Sequence, residues 1–175
     1  FNGWSVGVGG SEDNHSATWG SSSYRLAVLS GSNTRDAIYS ALGSRRFYST
    51  LDRNLELSFQ VDGSEMGSSI PGGVNQCVVK AADRDGEGFS QVEIIQNGSV
   101  VHAESVSGSL PVVACELYTQ QGDYVYCKVT QSDGDEAISS PVFITSDGPD
   151  GPPRADLVAF ACGVHEVFSY VHFDS

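Results

Sequence analysis

The 175-residue chain has few positive charges and no long apolar run. It contains 9 Lys+Arg against 22 Asp+Glu, for a formal net charge of −13. Because a nucleic-acid partner requires a basic face, the sequence argues against nucleic-acid binding. No apolar run approaches the ~20 residues that a membrane helix needs, so no membrane span is expected. The acidic loops instead suit hard divalent cations.

The chain also lacks any Cys-x-x-Cys pair, which argues against a zinc knuckle or a thioredoxin-like motif. Its four cysteines are Cys77, Cys115, Cys127 and Cys162. The even count, the low Lys content and the abundance of Ser and Gly favour a secreted, extracellular protein with two disulfides. The alternative is four buried free thiols in a cytosolic protein. The opening "FNGWSVGVGG" has no initiator Met, which predicts a processed or excised piece of a longer protein.

One helix is predicted, in "SNTRDAIYSALGSRR". Its apolar residues recur at helical spacing and form one face: Ala37, Ile38, Ala41 and Leu42. Ser32, Asn33 or Thr34 can cap its start, and Gly43 can take the left-handed conformation that ends a helix.

The rest of the chain is dominated by strand patterns. The segment "LELSFQV" alternates apolar and polar residues, which is typical of a half-buried strand. "SQVEIIQNGSVVHAESV" is a hairpin around Asn97-Gly98, the preferred pair for a type I′ turn. Further strands are predicted at "WSVGV", "YRLAVL", "RFYST", "NQCVVKAAD", "VVACELYT", "DYVYCKVTQ" and "PVFITS". Short strands at regular spacing indicate a mainly β chain, an immunoglobulin-like β-sandwich with a short N-terminal α/β segment containing one helix.

Two disulfides are predicted from this pattern. Cys77 and Cys127 share the inward faces of their strands, so a Cys77–Cys127 bridge through the core is expected, as in immunoglobulin-like domains. Cys115–Cys162 then follows by elimination. The likeness to immunoglobulin domains is architectural, because no Trp lies between Cys77 and Cys127.

The chain divides into four parts by composition. Residues 1–50 form an α/β segment, 51–145 a β-sandwich, 146–156 a Pro- and Gly-rich linker, and 157–175 an apolar tail with strong β character. The tail "LVAFACGVHEVFSYVHF" either completes its own sandwich or adds a strand to the sheet of a neighbour. Repeated head to tail, the second arrangement builds a filament.

The N-terminal motifs resemble the end of a known enzyme family. "DNHSATWG", a strand, and then "TRDAIYSALGSRRFYSTLDRNLELSFQVDGSEMGSSI" are similar to the C-terminal part of secreted metallohydrolases of the PHP (polymerase and histidinol phosphatase) family. The resemblance covers roughly residues 7 to 145. It implies a remnant of the catalytic barrel in residues 1–50, followed by a β-sandwich extension. It also implies that Asp13 and His15 match the last metal-binding motif of the family.

The remaining ligands of such a centre are absent from this chain. The four histidines are His15, His102, His165 and His172, and no two of them form the early His-x-His pair of the family. Asp13 and His15 suit zinc, manganese or iron, but two ligands do not hold a catalytic metal. The alternative for this stretch is a polar turn inherited from an enzyme.

Acidic loops offer a second candidate metal site. Asp83, Asp85 and Glu87 alternate like the start of a calcium loop, although the distal Glu of the full pattern is missing. The alternative is a solvated hairpin tip. Asn14 and Asn97 begin Asn-x-Ser sequons and are candidate glycosylation sites in a secreted protein.

These observations predict a non-catalytic extracellular module for binding or assembly, derived from the C-terminal part of a PHP-type metallohydrolase. Its partner is another protein, or a second copy reached through the C-terminal tail. One alternative is the subunit of an extracellular filament joined by that tail. The other is a fragment of an active metal-dependent phosphoesterase whose other ligands lie on an upstream part.

Overall fold

The computed structural model describes residues 5–11, 15–18 and 20–146. These residues fold into a mainly β structure with one helix and two sheets, which confirms the predicted fold class. The elements are β1 (Arg25–Val28), α1 (Arg35–Gly43), β2 (Phe47–Thr50), β3 (Leu55–Val61), β4 (Ser64–Glu65), β5 (Ser69–Pro71), β6 (Gly73–Asp83), β7 (Phe89–Gln96), β8 (Ser99–Ser105), β9 (Val112–Thr119), β10 (Tyr124–Gln131), β11 (Glu136–Ser139) and β12 (Val142–Ser146).

The larger sheet has eight strands and is organised around β10. One edge of β10 pairs with β7, and β7 continues to β8. The other edge pairs first with β11 and then with β12, across the interruption at Ser140–Pro141. β11 continues to β2 and β1, whereas β12 pairs in parallel with β5. The strands of the predicted α/β segment therefore belong to the same sheet as those of the predicted sandwich.

The smaller sheet has four strands in the order β4-β3-β6-β9. Alternate residues of β3 are buried, as the pattern in "LELSFQV" predicts. Its inward side chains pack against those of β7, β10 and β12 in one hydrophobic cluster. The largest fully buried members of that cluster are Phe59, Phe89, Met66 and Ile94. Burial of side chains of this size contributes roughly 1.5–3 kcal/mol each.

A buried tyrosine joins the two sheets. The Tyr48 hydroxyl, on β2, donates a hydrogen bond to the carbonyl of Leu55 at 2.8 Å and accepts one from the N–H of Leu57 at 3.2 Å. Leu55 and Leu57 lie on β3 of the smaller sheet. Burial raises the pKa of Tyr48 to about 12, because the phenolate would lose its hydration.

The helix begins where the sequence predicts and ends slightly differently. The Thr34 hydroxyl accepts a hydrogen bond from the N–H of Ala37 and caps the first turn. The predicted left-handed Gly43 is wrong, since Gly43 is the last helical residue and the positive φ, 57°, belongs to Arg45. The N–H groups of Arg46 and Arg45 donate to the carbonyls of Ala41 and Leu42, at 2.9 and 3.0 Å, which is the Schellman pattern with Arg45 in the left-handed position. The Arg45 side chain also donates two hydrogen bonds to the Gly67 carbonyl, at 2.9 and 3.1 Å.

The turn at Asn97-Gly98 is confirmed. Both residues have positive φ, 53° and 81°, as a type I′ turn requires.

The strand predicted at "WSVGV" is wrong for residues 5–8, which carry no strand. These residues run beside Phe47 and Ser140, whose hydroxyl accepts a hydrogen bond from the N–H of Val8 at 3.1 Å. Their backbone is therefore held through a side chain and not through a strand ladder.

The predicted Cys77–Cys127 disulfide is wrong. Both residues are buried free thiols. Cys77 lies on β6 opposite Cys115 of β9, whereas Cys127 lies on β10 of the other sheet. Because packed sheets are about 10 Å apart, two inward-facing cysteines reach disulfide distance only when they are directly opposed. Cys162 lies outside the described residues, so Cys115–Cys162 stays a prediction.

The linker and tail also lie outside the described residues, except for Ser146 at the end of β12. Among the residues that the structure describes, no helix has the length and apolar character needed to cross a membrane.

Candidate functional site

Three carboxylates converge at one end of the sandwich, and we refer to them as the carboxylate cluster: Asp52, Asp83 and Glu87. One oxygen from each lies within 4.8 Å of the others. Asp52 lies in the loop from β2 to β3, Asp83 ends β6, and Glu87 lies in the loop from β6 to β7. The cluster therefore draws on loops that connect both sheets.

Asp83 is the buried centre of the cluster and is only 7% exposed. Its Oδ1 accepts hydrogen bonds from the N–H groups of Asp85 and Glu87, each at 2.9 Å. Burial by itself would raise the pKa of Asp83. These backbone donors, a hydrogen bond shared with Asp52 and one from Gln131 outweigh burial and lower it. The structure thus favours the charged form of this carboxylate.

Asp52 is placed by its own turn. Its Oδ1 accepts a hydrogen bond from the N–H of Asn54 at 3.2 Å, and its backbone N–H donates to the Thr50 hydroxyl at 3.1 Å. Its other carboxylate oxygen faces Gln131, whose Nε2 donates to it at 3.3 Å. The turn between β2 and β3 therefore directs Asp52 toward the end of β10.

Gln131 ends β10 and is 1% exposed. Its Nε2 donates to Asp83 at 3.1 Å as well as to Asp52. Its Oε1 is buried and has no hydrogen-bond partner among the described residues. A buried amide oxygen without a donor lowers the stability of the fold by about 1–3 kcal/mol unless a ligand or a water molecule binds it.

More negative charge surrounds the carboxylate cluster. Burial, a hydrogen bond to Asp133 and the negative charges of Asp133 and Asp83 raise the pKa of Glu87. Burial and the charges of Asp133 and Asp52 raise the pKa of Asp135. Burial and the repulsion from neighbouring carboxylates therefore disfavour the charged forms of Glu87 and Asp135.

In the described part of the chain, the ion pairs of Arg84 and Lys128 lie outside the cluster. Arg84, next to Asp83 in sequence, pairs with Glu56. Lys128 pairs with Glu93 at 2.8 Å and with Glu136 at 3.2 Å. None of these ion pairs includes a residue of the carboxylate cluster.

The structure brings together part of the predicted calcium site. Asp83 and Glu87 belong to the carboxylate cluster, whereas the Asp85 side chain does not, and only its backbone N–H contacts Asp83. Asp52 was missed by sequence reasoning, because it is 31 positions before Asp83. The acidic loops "DRDGEG" and "SDGDE" lie at the ends of β6 and β10, and the hydrogen bond from Gln131 to Asp83 shows that these two strand ends are close together.

The N-terminal metal motif is only partly described. His15 is exposed, and Asp13 lies outside the described residues, so a metal at these two residues stays a prediction.

Of the two candidate glycosylation sites, Asn14 also lies outside the described residues. Asn97 is in the β7–β8 turn, where its amide donates to Asp123 at 2.7 Å and accepts from the N–H of Tyr124 at 3.1 Å.

A second feature is the edge strand β8, "SVVHAES". In the described residues it pairs only with β7. Two of its apolar side chains face solvent, Val100 at 53% and Val101 at 44% exposure. β8 contains no Pro, Lys or Arg, which are the residues that commonly protect an edge from a further strand.

Comparisons with known proteins give distant relatives. An uncharacterized protein of Chlamydia muridarum (strain MoPn / Nigg) is 27% identical over 138 residues, which cover 67% of this chain and 22% of that protein. An uncharacterized protein of Chlamydia trachomatis serovar D is 26% identical with the same coverage. The chain thus matches about a fifth of the length of these relatives. No protein-family model and no solved structure matches the chain.

Proposed function

We propose that the chain is a non-catalytic extracellular module that binds a protein partner, or a second copy of itself, by strand addition at β8. The observation that carries this proposal is the exposed edge of β8 with its two solvent-facing valines. An extended segment can pair with such an edge through main-chain hydrogen bonds, while its side chains contact the apolar ones on either face.

The ladder between β7 and β8 identifies the outward groups. The N–H of Val106 donates to the Ser90 carbonyl at 3.1 Å, so this pair is hydrogen-bonded. Hydrogen-bonded and non-hydrogen-bonded pairs alternate in an antiparallel ladder. Ala103, opposite Glu93, is therefore a non-hydrogen-bonded position, and its N–H and carbonyl point away from β7.

The incoming strand in this proposal is the apolar C-terminal tail, residues 157–173, of a neighbouring copy. Its sequence has strong β character and follows a Pro- and Gly-rich stretch long enough to carry it to another molecule. Head-to-tail repetition would give the filament. The relatives are several times longer than the aligned region, which supports a role as one part of a larger protein.

The proposed absence of catalysis rests on ligand chemistry. The carboxylate cluster contains no His, whereas the metallohydrolases that the N-terminal motif resembles use His ligands with their carboxylates. In this proposal the module derives from the C-terminal part of such an enzyme and has kept the β-sandwich extension without the reaction. A phosphodiester assay with manganese or zinc tests it: turnover that Asp13→Ala and His15→Ala abolish would make the chain a metallohydrolase.

Strand addition is tested with two variants of one residue. Ala103→Pro removes an outward N–H without removing a bond to β7, and Ala103→Ser keeps that N–H. Light scattering of the full chain should show self-association for the wild type and for Ala103→Ser, and a monomer for Ala103→Pro with an unchanged thermal midpoint. A wild type that remains monomeric on concentration, or an Ala103→Pro variant that still associates, contradicts self-association at β8.

A further inference from the structure

We infer that the carboxylate cluster of Asp52, Asp83 and Glu87 is a calcium site, with the Gln131 side chain as its fourth protein component. This goes beyond strand addition at β8, and neither depends on the other. The two features are apart, since the cluster is at the Gln131 end of β10, whereas Val100 of β8 is opposite Ile95, which pairs with Tyr126 near the other end of β10.

The spacing of the oxygens suits calcium. Calcium binds oxygen at 2.3–2.6 Å, so two ligands of one ion can be about 5 Å apart at most. Magnesium binds at 2.0–2.1 Å, which limits the same separation to about 4 Å. The three carboxylate oxygens lie no more than 4.8 Å from one another, an upper limit that one calcium ion can bridge in full.

The ligand type also disfavours softer metals. All the side chains that converge here offer oxygen, and neither His nor Cys is among them. Zinc and copper favour imidazole and thiolate ligands, whereas calcium takes carboxylates, amide carbonyls and water. The cluster therefore has the chemistry of a hard cation.

Gln131 supplies an observation that is independent of the acidic residues. Its amide lies between Asp52 and Asp83, and its buried Oε1 has no donor. As the amide stands, its Nε2 faces the two carboxylates and its Oε1 points away from them, so calcium, which takes amide oxygens, can partner Oε1 only after the amide rotates. Rotation of the amide by 180° exchanges its nitrogen and oxygen, which would direct Oε1 at the ion between the same two carboxylates.

An ion at this position would tie several loops together. Asp52 comes from the β2–β3 loop, Asp83 from the end of β6, Glu87 from the β6–β7 loop and Gln131 from the end of β10. The Ser132 N–H already donates to the Gly88 carbonyl at 2.8 Å, so the β6–β7 loop and the β10–β11 turn are in contact without the ion. Bound calcium would fix this end of the sandwich and offset the repulsion between its carboxylates.

The test is calorimetric titration of calcium chloride into the full chain after treatment with a chelator, with thermal unfolding in parallel. We expect one ion per chain, a rise in the thermal midpoint, and a weaker response to magnesium chloride. Glu87→Gln and Asp52→Asn should each weaken calcium binding at least about tenfold. Glu116→Gln is the control, because Glu116 is an exposed acid on β9 and its loss changes net charge equally.

Gln131 provides a second, sharper comparison. Gln131→Glu keeps an oxygen and adds a charge, so it should bind calcium at least as tightly as the wild type. Gln131→Leu removes the oxygen and should bind about tenfold more weakly. The inference is overturned if the wild type gives no binding, or if Glu87→Gln and Asp52→Asn bind calcium as the wild type does.

Discussion

Replacement of Tyr48 by Phe isolates the hydrogen bonds that join the two sheets. The aromatic ring stays, so almost no apolar volume is lost. The Leu55 carbonyl and the Leu57 N–H each lose their bond to the Tyr48 hydroxyl. Leu55 and Leu57 are each 3% exposed, so water does not readily replace the hydroxyl as their hydrogen-bond partner. Each unsatisfied group costs about 1–3 kcal/mol, and we expect a loss of roughly 2–4 kcal/mol in the free energy of unfolding.

Urea denaturation measures this loss. With a slope of about 2 kcal/mol per molar, the midpoint should fall by about 1–2 M while the slope stays constant. Tyr39→Phe is the matched control, because Tyr39 is 63% exposed and its variant should stay within about 0.5 kcal/mol of the wild type. If Tyr48→Phe is as stable as Tyr39→Phe, the hydroxyl does not connect the sheets and the reasoning fails.

Three further predictions concern the backbone, the charges and the thiols. Gly67→Ala should destabilise the fold by roughly 2–4 kcal/mol, because Gly67 has φ 87° and a Cβ there would meet the Ser44 carbonyl at 2.3 Å; Gly31→Ala, in open space, should be neutral in the same denaturation assay. The folded state raises the pKa of Glu87 above its ordinary 4.5. The stability of the metal-free chain should therefore fall as the pH rises from 4.5 through the folded-state pKa of Glu87. Thermal melts should show a smaller fall for Glu87→Gln and for the calcium-loaded chain, and an equal fall in all three would contradict this. Cys77 and Cys127 should resist alkylation in the native protein and react on unfolding without reductant; a thiol that reacts only after reduction would indicate a disulfide.

The strand positions could be predicted because the pattern of burial is local. In "LELSFQV" every second side chain enters the core, and Asn97-Gly98 has its own conformational preference. The short strands β4 and β5 and the strand β11 were not predicted. β11 has only four residues and follows an acidic turn, and it forms because β10 and β2 lie on either side of it. No local property of "EAIS" indicates those partners.

The candidate site could be predicted only in part for a related reason. Asp83 and Glu87 are close in sequence, so an acidic loop pattern identifies them. Asp52 and Gln131 join them through the arrangement of three loops, which depends on the packing of both sheets. The disulfide prediction failed in the same way. Inward orientation is a local property of Cys77 and Cys127, whereas their separation depends on the registration of one sheet against the other.

The most direct test of the calcium site is a crystal structure of the full chain grown with calcium, with anomalous scattering recorded to identify the ion. We expect one anomalous peak between Asp52, Asp83 and Glu87, with carboxylate oxygens at about 2.3–2.6 Å and Gln131 in contact with the ion or its water. Density for water alone between these carboxylates at saturating calcium, or an ion bound only elsewhere, would contradict it.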